Sequence, residues 1–217
     1  MRDVCRPGRP CDGLDEGVVS IFVMHAKIKT LIIGLALAGA AYAGPFGLSQ
    51  GMPLSAFQGK CKSTDQKMVY FVEVPAPNPR FKGYMGVISD KAGLGQVIAL
   101  GKNIETNAEG VQLRAEFDSL CDALTKKYGK PKLVDVLSDS SAISGPDLWM
   151  MSLLQKQREL VATWEGKKDL KLPDHLRRIT LRAVAVTSTR GNVALSYDFE
   201  NFDAISAELQ GGDDTGL

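Results

Sequence analysis

Arg178–Phe199, RITLRAVAVTSTRGNVALSYDF, decides the fold class of this chain. Ile179, Leu181, Ala183 and Ala185 alternate with Arg178, Thr180 and Arg182, the period of two expected of a strand with one buried face. Val193, Leu195, Tyr197 and Phe199 alternate in the same way with Ala194, Ser196 and Asp198. Arg190-Gly191-Asn192 between them predicts a hairpin turn, so the two strands are expected to pair antiparallel.

Outward from this hairpin the pattern continues. Leu160, Ala162 and Trp164 alternate in a preceding strand. Leu113, Phe117, Leu120, Cys121, Leu124 and Tyr128 recur at helical spacing and predict one long amphipathic helix, stopped by Gly129 and Pro131. A second helix is expected from Pro146-Asp147 to about Lys156, after a polar loop over 138–145. Three earlier strands are expected: Met68 to Val74, Tyr84 to Ser89 and Gln96 to Leu100, after an extended lead-in (GPFGLSQG, 44–51) and a short helix over 52–57. The expected fold is α+β: an antiparallel sheet, or two, covered on one face by helices, in the order α-βββ-αα-βββ. One mature domain over 44–210 is expected, whose element order also divides it into halves, 44–105 and 106–210. Residues 211–217 are expected to form a disordered tail.

Met24–Ala43, MHAKIKTLIIGLALAGAAYA, reads as a secretory signal. Lys27 and Lys29 supply a basic start, and the following apolar run is too short to span a bilayer. Ala41-Tyr42-Ala43 offers small residues at the cleavage site, so cleavage after Ala43 and a periplasmic product beginning at Gly44 are expected. No cysteine follows the apolar run for lipid attachment, so the product is expected not to be membrane-anchored. Residues 1–23 carry acidic residues and two cysteines, which no ordinary signal start does; they read as a mis-assigned extension ahead of Met24.

The 217-residue chain has a formal net charge of +1. That balance leaves no electrostatic footprint for nucleic acid. Cys61 and Cys121 remain after processing, and an oxidising compartment suggests a disulfide between them, with two reduced buried thiols as the other reading. A bridge closing that loop would stabilise the fold by about 4 kcal/mol on the chain-entropy model.

Catalytic chemistry finds little purchase. His175 is the lone histidine beyond the signal, and Asp174-His175 with Ser138, Ser140 or Ser141 reads as surface-turn chemistry rather than a triad. Glu116, Asp118 and Asp122 lie on the polar side of the long helix, the normal place for solvated charge. Gly93-Leu94-Gly95 precedes a strand and so is a turn, not a phosphate cradle. No cofactor and no metal is expected. Two surfaces invite a recognition reading. The loop VPAPNPRF (74–81), stiffened by proline, presents Pro77, Pro79, Arg80 and Phe81 as a preorganised patch for a partner, or else returns Phe81 to the core. Trp149-Met150-Met151 is apolar on too many sides for a surface helix, and is expected to be buried or part of an interface.

FGLSQGMPLSAF (46–57) resembles the Gly-Met-Thr/Ser start of small cell-envelope proteins, namely outer-membrane-assembly lipoproteins and β-lactamase-inhibitor-type domains. LCDALTKKYGKP (120–131) resembles the helix-then-Gly-x-Pro passage of the same proteins, and the whole is similar to uncharacterised secreted and periplasmic proteins of Gram-negative bacteria that begin FGL-x-x-GM. The resemblance implies helices on an antiparallel sheet and a binding or assembly role. It carries over no functional residue, and the lipid-attachment cysteine is missing. The function expected is therefore non-enzymatic: binding of an envelope protein or cell-wall component. The alternative is a hydrolase-type enzyme with a carboxylate site, and a third reading makes the two halves a dimerisation device.

Overall fold

The structure, a computed structural model, describes residues 44–138, 145–166 and 171–210. The expected extension (1–23), signal (24–43) and tail (211–217) lie outside the described residues, as do Ser140 and Ser141. The strands are β1 (Cys61–Ser63), β2 (Val69–Val72), β3 (Phe81–Ser89), β4 (Gly93–Gly101), β5 (Ile104–Glu105), β6 (Lys132–Leu137), β7 (Arg158–Glu165), β8 (Leu176–Thr187) and β9 (Arg190–Phe199). The α-helices are α1 (Val111–Tyr128), α2 (Trp149–Leu154) and α3 (Phe202–Gln210).

All nine strands belong to one antiparallel sheet of order β1-β2-β3-β4-β9-β8-β7-β6, with β5 pairing β9 off that path. Two meanders meet where β4 pairs β9, from Gln96↔Asp198 to Leu100↔Ala194. The two halves therefore share a single sheet. The expected element order is incomplete. β1, β5, β6 and α3 are additional, the lead-in carries a 3-10 turn at Pro45–Gly47, and the short helix is a 3-10 turn at Leu54–Phe57. The hairpin turn lies at Ser188-Thr189 rather than Arg190-Gly191-Asn192, because β9 begins at Arg190, which pairs Thr187.

Alternation sorts each strand into two faces. Val97 and Ala99 of β4, Leu195 and Tyr197 of β9, Ile179 and Leu181 of β8, and Ala162 and Trp164 of β7 are buried in one apolar cluster. Over it lie Leu113, Phe117, Leu120 and Leu124, the buried stripe of α1. Gly110 precedes this helix in a left-handed conformation (φ 71), and a Cβ there would come within 2.3 Å of the Trp149 ring. Only glycine gives both that φ and that closeness. The helix ends at Gly129, whose carbonyl accepts the Trp164 indole N–H at 2.7 Å, tying α1 to β7. Trp149 and Met150 of α2 are buried, and the Trp149 ring lies 5.6 Å from the Arg114 guanidinium.

The lead-in adds an aromatic plug to this face. Phe46 sits 4.8 Å from Tyr84 and 5.6 Å from both Phe81 and Tyr197, ring centre to ring centre. Leu48 and Phe57 are buried beside it.

The helices do not all lie on that face. A β-bulge at Gly95, where Val87↔Gln96 is followed by Ile88↔Leu94, switches the phase of β4. Leu94 thereby joins the main cluster while Gly95 meets α3 on the other side, a Cβ on Gly95 falling 2.4 Å from Ile205 Cδ1. Asn201 Nδ2 donates to the carbonyls of Ala92 and Leu94, and Ser89 Oγ donates to Glu208, so α3 is fastened to the β3–β4 hairpin.

Candidate functional site

The residues singled out in the sequence are scattered, and several are consumed by the fold. Phe81 is buried against Phe46 and Tyr84, so it returns to the core. Arg80 donates to Glu116 Oε1 at 3.3 Å and Ser119 Oγ at 3.1 Å, fastening its loop to α1. Pro77 and Pro79 are exposed, while the Tyr84 hydroxyl accepts the Asn78 N–H at 2.7 Å and fixes the loop between them.

The Cys61–Cys121 bridge is not formed: both thiols are free. Cys61 lies on edge strand β1, four strand spacings, or about 19 Å, from β9. α1, which carries Cys121, packs against β8 and β9, and a bridge needs Cα atoms within about 7 Å. Burial pushes the Cys121 thiol above its ordinary value.

Asp174 and His175 form a turn with both residues at positive φ, and the His175 side chain is 75% exposed, its Nδ1 3.6 Å from Glu200 Oε2. Among the described residues no group of three or more His, Cys, Asp and Glu could hold a metal ion. No helix of the described residues is long and apolar enough to cross a membrane.

The face of the sheet away from α1 carries a polar row that runs directly across four strands. Gln96, Asp198, Arg178 and Glu165 are register partners in turn on β4, β9, β8 and β7. Asp198 is almost wholly buried and accepts from Gln96 Nε2 at 2.7 Å and Arg178 Nε at 2.9 Å. Arg178 also reaches Glu165 at 4.0 Å, and Arg182 reaches Glu159 at 3.4 Å. Arg178 and Arg182 thus face carboxylates of their own sheet.

Beyond this row the same face opens into a groove of about 720 Å³ lined by Lys130, Lys132, Val134, Glu159, Val161, Thr163, Glu165 and Arg182. Its two carboxylates, Glu159 and Glu165, stand six residues apart on one strand, about 20 Å at the strand repeat. Paired glycosidase carboxylates stand no more than about 9.5 Å apart. Each has an arginine within ion-pair distance, Arg182 at 3.4 Å from Glu159 and Arg178 at 4.0 Å from Glu165, and the two do not face each other across one bond as a glycosidase pair does.

One wall of the groove is β6, an end strand of the sheet. The register fixes which of its backbone groups are used. Ser138 N–H donates to the Gln157 carbonyl, and Gly166 N–H to the Arg177 carbonyl. Hydrogen-bonded pairs recur every second residue in an antiparallel ladder. Lys132, Val134 and Val136 therefore spend their N–H and C=O groups on β7, while those of Leu133, Asp135 and Leu137 point outward. Leu133 is 59% exposed and Val136 53% exposed, whereas the sheet's other end, β1, is three residues long and centred on Lys62. Natural sheets shorten or charge their edges to prevent pairing, and β6, with Lys132 and Asp135 but also exposed Leu133 and Val136, is the less protected of the two. β6 is hidden in the sequence because Leu133, Val134, Val136 and Leu137 show no alternation; they flank Asp135 on both faces. The available signal was the run of β-favouring residues after the Gly129 stop.

The chain matches no protein-family model, no curated protein and no solved structure.

Proposed function

We propose that the mature chain is a non-enzymatic periplasmic protein that binds an extended segment of another envelope protein by adding it to β6 as a further strand. The observation that carries this reading is the edge of Leu133, Asp135 and Leu137, which no strand of the described residues pairs, beside the groove floored by Val134, Val161 and Thr163. In strand addition the main chain supplies affinity, and alternate side chains reach the surfaces on either side. The compartment rests on the signal over 24–43. Gly44, at which that reading starts the mature chain, belongs to the fold: its carbonyl accepts the Gly47 N–H, and Pro45 beside it is buried. The resemblance of 46–57 to the start of envelope proteins implies the same role, and Phe46, Leu48 and Phe57 make that stretch a part of the core.

The test is site-specific photo-crosslinking in the periplasm, with the probe at Leu137 or at Pro77. A discrete adduct from position 137, lost when Leu133→Pro removes an outward N–H without touching the β7 ladder, supports the reading. An adduct from position 77 that survives Leu133→Pro would move the partner surface to the proline loop.

A further inference from the structure

Resting on that reading, we infer that the segment accepted by β6 carries, at successive alternate positions, two apolar residues and then an acidic one, in the pattern apolar-x-apolar-x-acidic. The inference comes from the charges left over around the groove. Glu159 is matched by Arg182; Glu165, 4.0 Å from Arg178, shares that arginine with Asp198, which Arg177 also approaches at 3.9 Å; and on the strand itself Asp135 holds Arg158 at 2.6 Å. Its lysines are not matched. Lys130 and Lys132 line the groove, and Lys126 and Lys127 stand just before them at the end of α1. All four are exposed, and among the described residues none lies within ion-pair distance of a carboxylate. Lys127 rests 4.9 Å from the Tyr128 ring centre, a contact that leaves its charge unneutralised. The C-terminal end of α1 attracts cations to this point, which accounts for Lys126 and Lys127 but not for Lys130 and Lys132 beyond the helix.

Register then fixes where the charges meet a bound segment. Lys132, Val134 and Val136 share the groove face of β6, since they pair Thr163, Val161 and Glu159 of β7. A strand added antiparallel to β6 places successive alternate residues beside Val136, Val134 and Lys132, about 5 Å away. The first two positions suit apolar side chains, and the third suits Asp or Glu, with Lys130 ready for a second acid further on. Side chains on the opposite face meet Leu133, Asp135 and Leu137, where Asp135 is already neutralised by Arg158.

The experiment uses the full mature chain and fluorescent peptides with blocked termini, carrying Asp, Asn or Lys at the acidic positions, read by anisotropy. The Asp peptide is expected to bind about three- to ten-fold tighter than its Asn analogue, from one or two cross-strand ion pairs. The preference should shrink in 0.5 M salt and vanish in K130Q/K132Q, while L133P should weaken every peptide. Thermal melts establish that L133P is folded, and L137P, which also removes an outward N–H, serves if it is not. Equal binding of Asp and Asn peptides, both sensitive to L133P, would overturn the acidic preference and leave strand addition standing. A preference for Asp that survives both proline variants, or no binding of any peptide, would overturn both. Anionic lipid vesicles that bind through Lys130 and Lys132 without sensitivity to L133P would assign the lysines to a membrane surface instead, and overturn the inference.

Discussion

Asp198 accepts a hydrogen bond from Arg178 Nε at 2.9 Å across the β8–β9 pair, and its other oxygen accepts from Gln96 Nε2 across the β4–β9 pair. This one carboxylate joins the strands on either side of the seam between the two meanders. Its side chain is 3% exposed, against 37% for Arg178. Removing the acid takes from Gln96 its acceptor across the seam and leaves Arg178 with only Glu165, at 4.0 Å. Removing the arginine leaves an acid still held by Gln96, with Arg177 Nη2 3.9 Å away. D198A is expected to lose about 2 kcal/mol, the scale of hydrogen bonds to a charged group, and R178A less. Urea denaturation orders the two; a larger loss for R178A would contradict this account of the seam.

Gly95 and Ile205 give a second prediction. A Cβ at position 95 would meet Ile205 Cδ1 at 2.4 Å, and Ile205 is fully buried. G95A should therefore cost about 1–3 kcal/mol as overpacking, and loosen α3. I205V removes the clashing methyl, so G95A/I205V should be more stable than the sum of the single changes implies. Simple additivity in thermal melts would show that α3 does not press on the bulge.

Tyr197 predicts a dependence on pH. Burial, with the Tyr128 hydroxyl beside it, pushes its pKa well above the ordinary 10.0. The folded state then holds this proton more tightly than the unfolded chain does. The contribution is complete below pH 10 and is lost as pH rises beyond it, by up to about 1.4 kcal/mol per unit. Y197F cannot lose it. The stability difference between wild type and Y197F, measured by denaturant at pH 8, 10 and 11, should move in favour of Y197F above pH 10 and stay constant below it.

The free thiols predict that reductant leaves stability unchanged and that the intact mass is that of the dithiol form. Cys121, its thiol pushed up by burial, should alkylate slowly until the pH exceeds 9.0. A mass lower by two hydrogens, with a melting point that falls in reductant, would restore the bridge.

The antiparallel sheet with helices was legible because its central strands bury one face and so alternate cleanly, as Ile179-Leu181-Ala183 and Val193-Leu195-Tyr197 do. The stripe of α1 was legible for the same reason at helical period. Edges carry no such signal. β6 buries neither face fully, so Leu133, Val134 and Val136 lack a period, and β1 and β5 are too short to show one. The α3 helix is hidden because only Ile205 of its nine residues is buried, too little for a helical stripe, and Gly93-Leu94-Gly95, expected as a turn, is the start of β4 because the bulge at Gly95 lets Leu94 reach the core. The candidate site was largely illegible. Lys126 and Lys127 were readable as helix-end cations, but their union with Lys130, Lys132 and an open strand edge depends on the turn after Gly129 and on β6 being last in the sheet.

Whether β6 is an edge that accepts a strand is tested most directly by residue-resolved amide exchange. In the free protein Val134 and Val136, bonded to β7, should exchange slowly, while Leu133, Asp135 and Leu137 exchange fast. Adding the Asp peptide should slow those three and leave Val134 and Val136 as they were. If Leu133, Asp135 and Leu137 stay fast while amides of β1 or of the loop over 75–80 become protected, β6 is not the binding edge and the account is wrong.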